Sequence, residues 1–311
     1  MFAHSRKDLM LVTLGLLLPA LVFAECRYFG RLGWKSQLLL AATGVGLIGT
    51  NYQCVGHNFL HNPFFKWPPL NHAFSLVNSL SLGMPQTLYK YHHLNHHRFN
   101  NDQRRTGGSK TRDRSSTYRF AARHDREEHI LSYALLGPFR TELRAPYREA
   151  KAKRQARLVW RECAALAVFS CSVLLWQPRC FFFFLLPVWY GGQAFALAEN
   201  WLEHHRATPG NRLADSVSCY GRIYNLIWFN NGYHQEHHFR PTVHWTKIDE
   251  VRRQMLPDHQ RQIVAGAHWF NWRSSKSQSG AIRGSRPAAS AGLDSGQRTR
   301  SGDQLRNGPG S

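Results

Sequence analysis

The sequence predicts an all-α integral-membrane fold, with four transmembrane helices in two hairpins and a cytoplasmic helical cap carrying a histidine-rich dimetal site. Three observations predict it. Apolar residues gather in four blocks long enough to cross a bilayer, Lys and Arg gather between them, and histidines recur in tight clusters near the block ends. Whole-chain averages conceal this pattern: 43% hydrophobic residues and a mean hydropathy of -0.43 would suit a soluble protein, because polar stretches dilute the blocks.

The first block, 9–24, follows Arg6, Lys7 and Asp8. It fits a first transmembrane helix, or the apolar core of a signal peptide with Val22 and Ala24 as the small residues before a cleavage point. A second block at 38–56 returns the chain across the bilayer and favours a membrane hairpin. Blocks at 158–177 and 180–199 make a second hairpin, in which Gln177, Pro178 and Arg179 leave room for a turn and nothing larger. Residues 64–89 are apolar but broken by Pro68, Pro69 and Pro85 and bounded by Trp67 and Tyr89. That composition predicts an interfacial or re-entrant segment.

The formal charge of +21 suits either nucleic acid or the anionic face of a membrane. A nucleic-acid binder leaves the apolar blocks unexplained, so no nucleic-acid partner is expected. Arg104, Arg105, Lys110, Arg112, Arg114 and Arg119, then Lys151, Lys153 and Arg154, place 98–157 on the cytoplasmic side. With four spans, the N-terminus and the chain beyond 200 lie there too. The composition divides the chain into a membrane domain, 1–273, and a basic Ser/Gly-rich tail, 274–311, too poor in apolar residues to fold. The six cysteines include no C-x-x-C pair and imply no disulfide framework.

The histidines carry the chemistry. His57 and His61 form an H-x-x-x-H; His93, His96 and His97 form an H-x-x-H-H preceded by His92; His234, His237 and His238 repeat it. Between them, Asn200 and His204 share a helix face, with His205 following. Residues at i, i+3 and i+4 converge on one side of a helical turn, so several imidazoles can meet one or two metal ions. Spacing alone leaves iron and zinc both open, since imidazole suits either. Glu203 and Glu236 lie inside clusters and are expected to orient imidazole N–H groups, whereas His4, His72, His124, His129, His244, His259 and His268 read as ordinary hydrogen-bonded residues.

These clusters, in this order around two apolar hairpins, resemble the histidine boxes of the membrane fatty acid desaturase and hydroxylase superfamily. The likeness covers residues from about 9 to 250 and includes Asn230-Asn231-Gly232-Tyr233 leading into His234. It implies a non-haem diiron centre with His57, His61, His93, His96, His97, His204, His234, His237 and His238 as ligands of two Fe and Asn200 acting through a water. It also implies an oxygen-dependent oxidoreductase that introduces a double bond into an acyl-lipid or acyl-carrier chain with external electrons. Hydroxylation and carotenoid ketolation remain open, because substrate placement decides the product. A metal-transport protein is a more distant reading, since it needs ligands along a path through the bilayer rather than at helix ends. The sequence contains neither a His-Pro-Gly-Gly motif nor a dinucleotide fingerprint in its required context. A separate ferredoxin, rubredoxin or cytochrome is therefore expected, docking on the basic face near 98–126, which includes Arg104 and Arg105.

Overall fold

The computed structural model describes residues 1–104 and 110–273; Arg105 and the tail at 274–311 lie outside the described residues. The fold is mostly helical. In chain order it comprises α1 (Asp8–Tyr28), α2 (Trp34–His61), α3 (Pro68–Leu82), α4 (Gln86–Phe99), α5 (Ile130–Arg140), α6 (Arg144–Ala152), α7 (Ala156–Trp176), α8 (Pro178–His204), α9 (Arg222–Ile227) and α10 (His234–Phe239). Of these, α1, α2, α7 and α8 are long and apolar enough to cross a membrane. They coincide with the four apolar blocks. Large apolar side chains remain outward on them, with Leu39 67%, Phe183 73% and Leu175 84% exposed, as a surface facing lipid requires.

Small residues let α2 and α8 pack closely and in parallel. Gly44 faces Val188, Gly192 faces Ile48 and Gly49 faces Phe195, and a Cβ added at Gly192 would fall 2.4 Å from the Cβ of Ile48. The parallel run brings the C-terminal ends of both helices, with their histidines, to the same end of the bundle. The turn at Asn51–Gly56 of α2 is a π-helix, which places polar groups inside the bundle. Their amide donors are satisfied internally: Asn51 donates to Asn78 (2.8 Å), Asn78 to Gln86 (2.8 Å), Gln86 to the Gly56 carbonyl (3.2 Å) and Gln53 to the Ala196 carbonyl (3.0 Å).

The proline-broken segment forms two helices rather than one span. α3 enters the bundle between α1 and α7, where the Ser81 hydroxyl donates to the Gly15 carbonyl at 2.7 Å. Gly83 then takes a left-handed φ of 67° against Trp189, and Pro85 opens α4 for the return. The Glu162 carboxylate, the polar interruption in α7, is buried and accepts from the Ser75 hydroxyl, the Thr87 amide (2.9 Å) and the Thr87 hydroxyl (2.7 Å). It fastens α7 to both arms of the elbow.

The chain beyond α8 folds back over the histidine end. Asp8, at the N-terminus of α1, accepts from His244 (3.0 Å) and from the Trp245 indole (2.9 Å), which also places a carboxylate at the positive end of that helix. The all-α expectation misses one detail. Two short parallel strands, β1 (Ser218–Cys219) and β2 (Ile263–Val264), pair Ser218 with Ile263 and lay the last described segment beside α8 and α10.

The α2–α8 seam has no room for an added methyl group. Gly192→Ala is expected to destabilise the bundle by about 1–3 kcal/mol through overpacking against Ile48. The measurement is the unfolding midpoint of the purified protein in detergent; a midpoint equal to wild type would show that the seam yields.

Candidate metal centre

Four helices bring the nine predicted histidines into two adjoining groups. His57, His61, His93, His97 and His237 form one and His96, His204, His234 and His238 the other, with ligand nitrogens in each lying within 4.8 Å of one another. Helical periodicity explains the division. On α4 the i, i+4 pair His93 and His97 shares one face while His96 turns away, and on α10 His234 and His238 pair while His237 turns to the first group. The groups touch where the rings of His97 and His238 stack at 4.3 Å.

Hydrogen bonds at Nδ1 fix which nitrogen is free. His57 donates to the Gln53 carbonyl (2.9 Å), His96 to the Asp113 carboxylate (2.8 Å) and His204 to the Asp215 carbonyl (3.3 Å). Each therefore turns a bare Nε2 inward. The inward nitrogens crowd one another: His57 and His237 at 2.7 Å, His93 and His97 at 2.8 Å, His61 and His97 at 3.1 Å, His204 and His234 at 3.2 Å. His96 Nε2 and both ring nitrogens of His238 are buried without a hydrogen-bond partner among the described residues. Converging lone pairs of this kind fit metal ions, whose bonds to imidazole are about 2.1 Å long. Burial, reinforced by the neighbouring imidazoles, holds His93, His97, His234, His237 and His238 well below the usual histidine range, so they stay neutral and able to ligate.

Asp113 is a residue that sequence reasoning missed. Burial alone would raise its carboxyl, but His96 and the amides of Asn101 (2.7 Å) and Ser115 (2.8 Å) bring it down to about 2. A lone Asp in a loop carries no periodic signal, and only the fold places it behind His96.

Other expectations need correction. Glu236 orients no imidazole; it is buried in an ion pair with Arg261 (2.9 Å) and accepts from Ser218 (2.7 Å) and Tyr220 (2.6 Å). Glu203 lies 3.7 Å from His234 Nδ1, beyond hydrogen-bond length, and accepts from Asn231 at 2.7 Å. The Arg104 guanidinium donates to the Ala121 carbonyl at 2.5 Å. His268, read as ordinary, is fully buried beside Glu199 and Glu203, and burial holds it at about 4. The two extra histidines stand outside both groups: His205 bonds Glu127 (2.5 Å) and stacks on Trp201, while His92 lines a cavity. His244 bonds Asp8, as a hydrogen-bonded residue should.

That cavity, about 250 Å³, opens onto the histidines. His93, His96 and His234 form part of its wall, Met84, Leu143, Ala196 and Leu197 supply apolar surface, and Gln53, Gln193 and Asn200 supply amides. Asn200 donates to the Tyr133 hydroxyl at 2.7 Å.

Membrane-length helices that end in two nests of inward-facing neutral imidazoles, beside an apolar cavity, define a membrane protein with a histidine metal site. The sequence pattern described as fatty acid desaturase matches residues 32–267. The chain belongs to that family, and with it to the oxygen-dependent oxidoreductases of lipid metabolism. Similar proteins include the sphingolipid delta(4)-desaturase of Candida albicans, 25% identical over 63% of this chain and 56% of its own length. The sphingolipid delta(4)-desaturase DES1-like protein of Arabidopsis thaliana is 25% identical over 80% of this chain and 70% of its own. The sphingolipid delta(4)-desaturase/C4-monooxygenase of Bos taurus is 24% identical over 80% and 76%.

The carboxylate behind His96 provides a test. Asp113→Asn keeps the shape and removes the charge, and is expected to weaken metal affinity by about 10- to 100-fold. Metal retained against a graded series of chelators reads this out; unchanged retention would mean that Asp113 only shapes its loop.

Proposed function

We propose that this protein desaturates the alkyl chain of a lipid, using O2, two electrons from a separate donor and two protons to convert adjacent methylenes into an alkene while two waters form. The observation that carries this reading is the apolar cavity ending at the histidines. It would hold a saturated chain against the metal site, while the amides of Gln53, Gln193 and Asn200 offer hydrogen bonds to a polar lipid head. The sphingolipid desaturases among the relatives support a sphingolipid or another acyl-lipid substrate in preference to a soluble acyl carrier.

In this reading His57, His61, His93, His97 and His237 hold one iron and His96, His204, His234 and His238 the other. When bound, the irons supply reductive activation of dioxygen strong enough to break an unactivated C–H bond. The protein's own part is orientation and exclusion of water. Asp113, Gln53 and the Asp215 carbonyl fix the imidazole tautomers, and the buried setting keeps water from competing. Asn200, whose amide donates to Tyr133, would hold a water near the metal through its remaining oxygen.

Hydroxylation is the second reading, and the bovine relative, whose name pairs desaturase with C4-monooxygenase, supports it. The electron donor is a ferredoxin, rubredoxin or cytochrome. Two hairpins with a cytoplasmic cap would place the histidine end, the basic stretch and both ends of the membrane domain on the side where such donors are found.

Lipid profiling of a heterologous host decides the activity. Wild type should give new alkenyl lipids, His237→Ala none, and Asn200→Ala a rate lowered about 10- to 100-fold with both irons retained. Only hydroxylated lipids would replace desaturation by the second reading, and no new lipid with an iron-loaded protein and an added reductant would sink both. Orientation is tested by labelling a cysteine introduced at Arg112, which is 61% exposed on its side chain. It should react with a membrane-impermeant reagent only from the cytoplasmic side; reaction from the outside alone would overturn the topology.

A further inference from the structure

Three buried ligand-type side chains lie beside the nine histidines and take no part in the reading above. Glu199 and Glu203 stand one turn apart on α8, so both carboxylates leave the same face of the helix. His268 reaches them from the 3-10 segment His268–Arg273, which β2 positions. Glu199 and Glu203 are 1% exposed and His268 is 0% exposed, with one ligand atom from each lying within 4.8 Å of the others.

The hydrogen bonds around this trio leave its lone pairs facing each other. A carbonyl can only accept, so at 3.1 Å from the Val217 oxygen His268 Nε2 carries the proton and the neutral ring has a bare Nδ1. That nitrogen points at carboxylate oxygens of Glu203 (3.7 Å) and Glu199 (3.9 Å). Tyr224, 3.2 Å from the same nitrogen, spends its single proton on Glu199 at 2.8 Å. The second oxygen of Glu199 has no hydrogen-bond partner among the described residues; the Trp269 indole is turned toward Glu199 but falls outside bonding geometry. No Lys or Arg among the described residues pairs with either carboxylate.

Two carboxylates, one accepting from Tyr224 and the other from Asn231, and an imidazole lone pair in a dry pocket repel one another unless a metal cation or a proton lies among them. Gaps of 3.7 and 3.9 Å are too wide for hydrogen bonds and match the separation of ligands around one metal ion with bonds of about 2.1 Å. Two carboxylates also cancel the charge of a divalent ion, so the filled site is neutral and suited to burial. We propose that Glu199, Glu203 and His268 bind a divalent transition-metal cation, a third ion beside the histidine centre. It fastens the segment after β2 to α8 and holds Glu203 in place, whose carboxylate lies 3.7 Å from His234 Nδ1. The inference rests on the histidine centre only for the count of the other two ions.

The test is metal content per chain, read by inductively coupled plasma mass spectrometry on the full-length protein purified in detergent. Wild type is expected to carry three divalent ions, His268→Gln and Glu199→Gln two, and His237→Ala to keep the ion held by the trio while losing at least one other. A wild-type chain with two ions, neither lost in His268→Gln, overturns the third site and leaves the histidine centre standing. Three ions retained in both trio variants overturn it as well. One ion in wild type, lost in His268→Gln, would instead support the trio and remove the diiron reading. Should those variants fail to fold, His237→Ala decides together with the wild-type count: three ions in wild type support the trio, and two in wild type with none left in His237→Ala overturn it.

Discussion

Neutral imidazoles turned with their bare nitrogens toward one another repel unless a cation lies among them, and three buried acceptors serve that arrangement. The Gln53 and Asp215 carbonyls and the Asp113 carboxylate each take an Nδ1 proton and so direct an Nε2 lone pair inward. Such a cluster stores unfavourable interactions in the apoprotein that a metal ion relieves. Binding and folding are therefore linked, as expected where the ligand set has no other purpose.

Holding the repelling groups together falls to the membrane helices. The glycine seam between α2 and α8 fixes the relative positions of His57, His61 and His204, because neither helix can slide without a backbone meeting a side chain. The elbow of α3 and α4, clamped by Glu162 and Trp189, then sets the height of His93, His96 and His97 against that seam. The same elbow contributes Gly83 and Met84 to the cavity, so the element that positions ligands also shapes the space for substrate.

The sequence shows some of this plainly and hides the rest for identifiable reasons. Long apolar runs reveal the four membrane-length helices, since few other residues are tolerated there; the first block, 9–24, falls inside Asp8–Tyr28. The histidine clusters are visible because ligands on one helix recur at i, i+3 and i+4. Their division into groups follows from rotation about α4 and α10, which one-dimensional spacing does not display. Asp113 lies in a loop 17 residues from His96, and the Glu199–His268 pairing closes a far longer separation, so neither leaves a local trace. Glu236 misled for the opposite reason: its place inside a histidine cluster implied a role beside the imidazoles, but the helix turns it outward from them to Arg261.

The contact between His57 and His237 joins residues 180 positions apart. During biosynthesis α2 is made early, and α10 follows only after the last membrane-length helix. A chain still being inserted thus has its first ligands and lacks those that complete both groups. Loops of that length close slowly, because their entropy is lost before any bond rewards it. Any metal ion that draws ligands from both ends of the chain can be fully held only once α10 has been made.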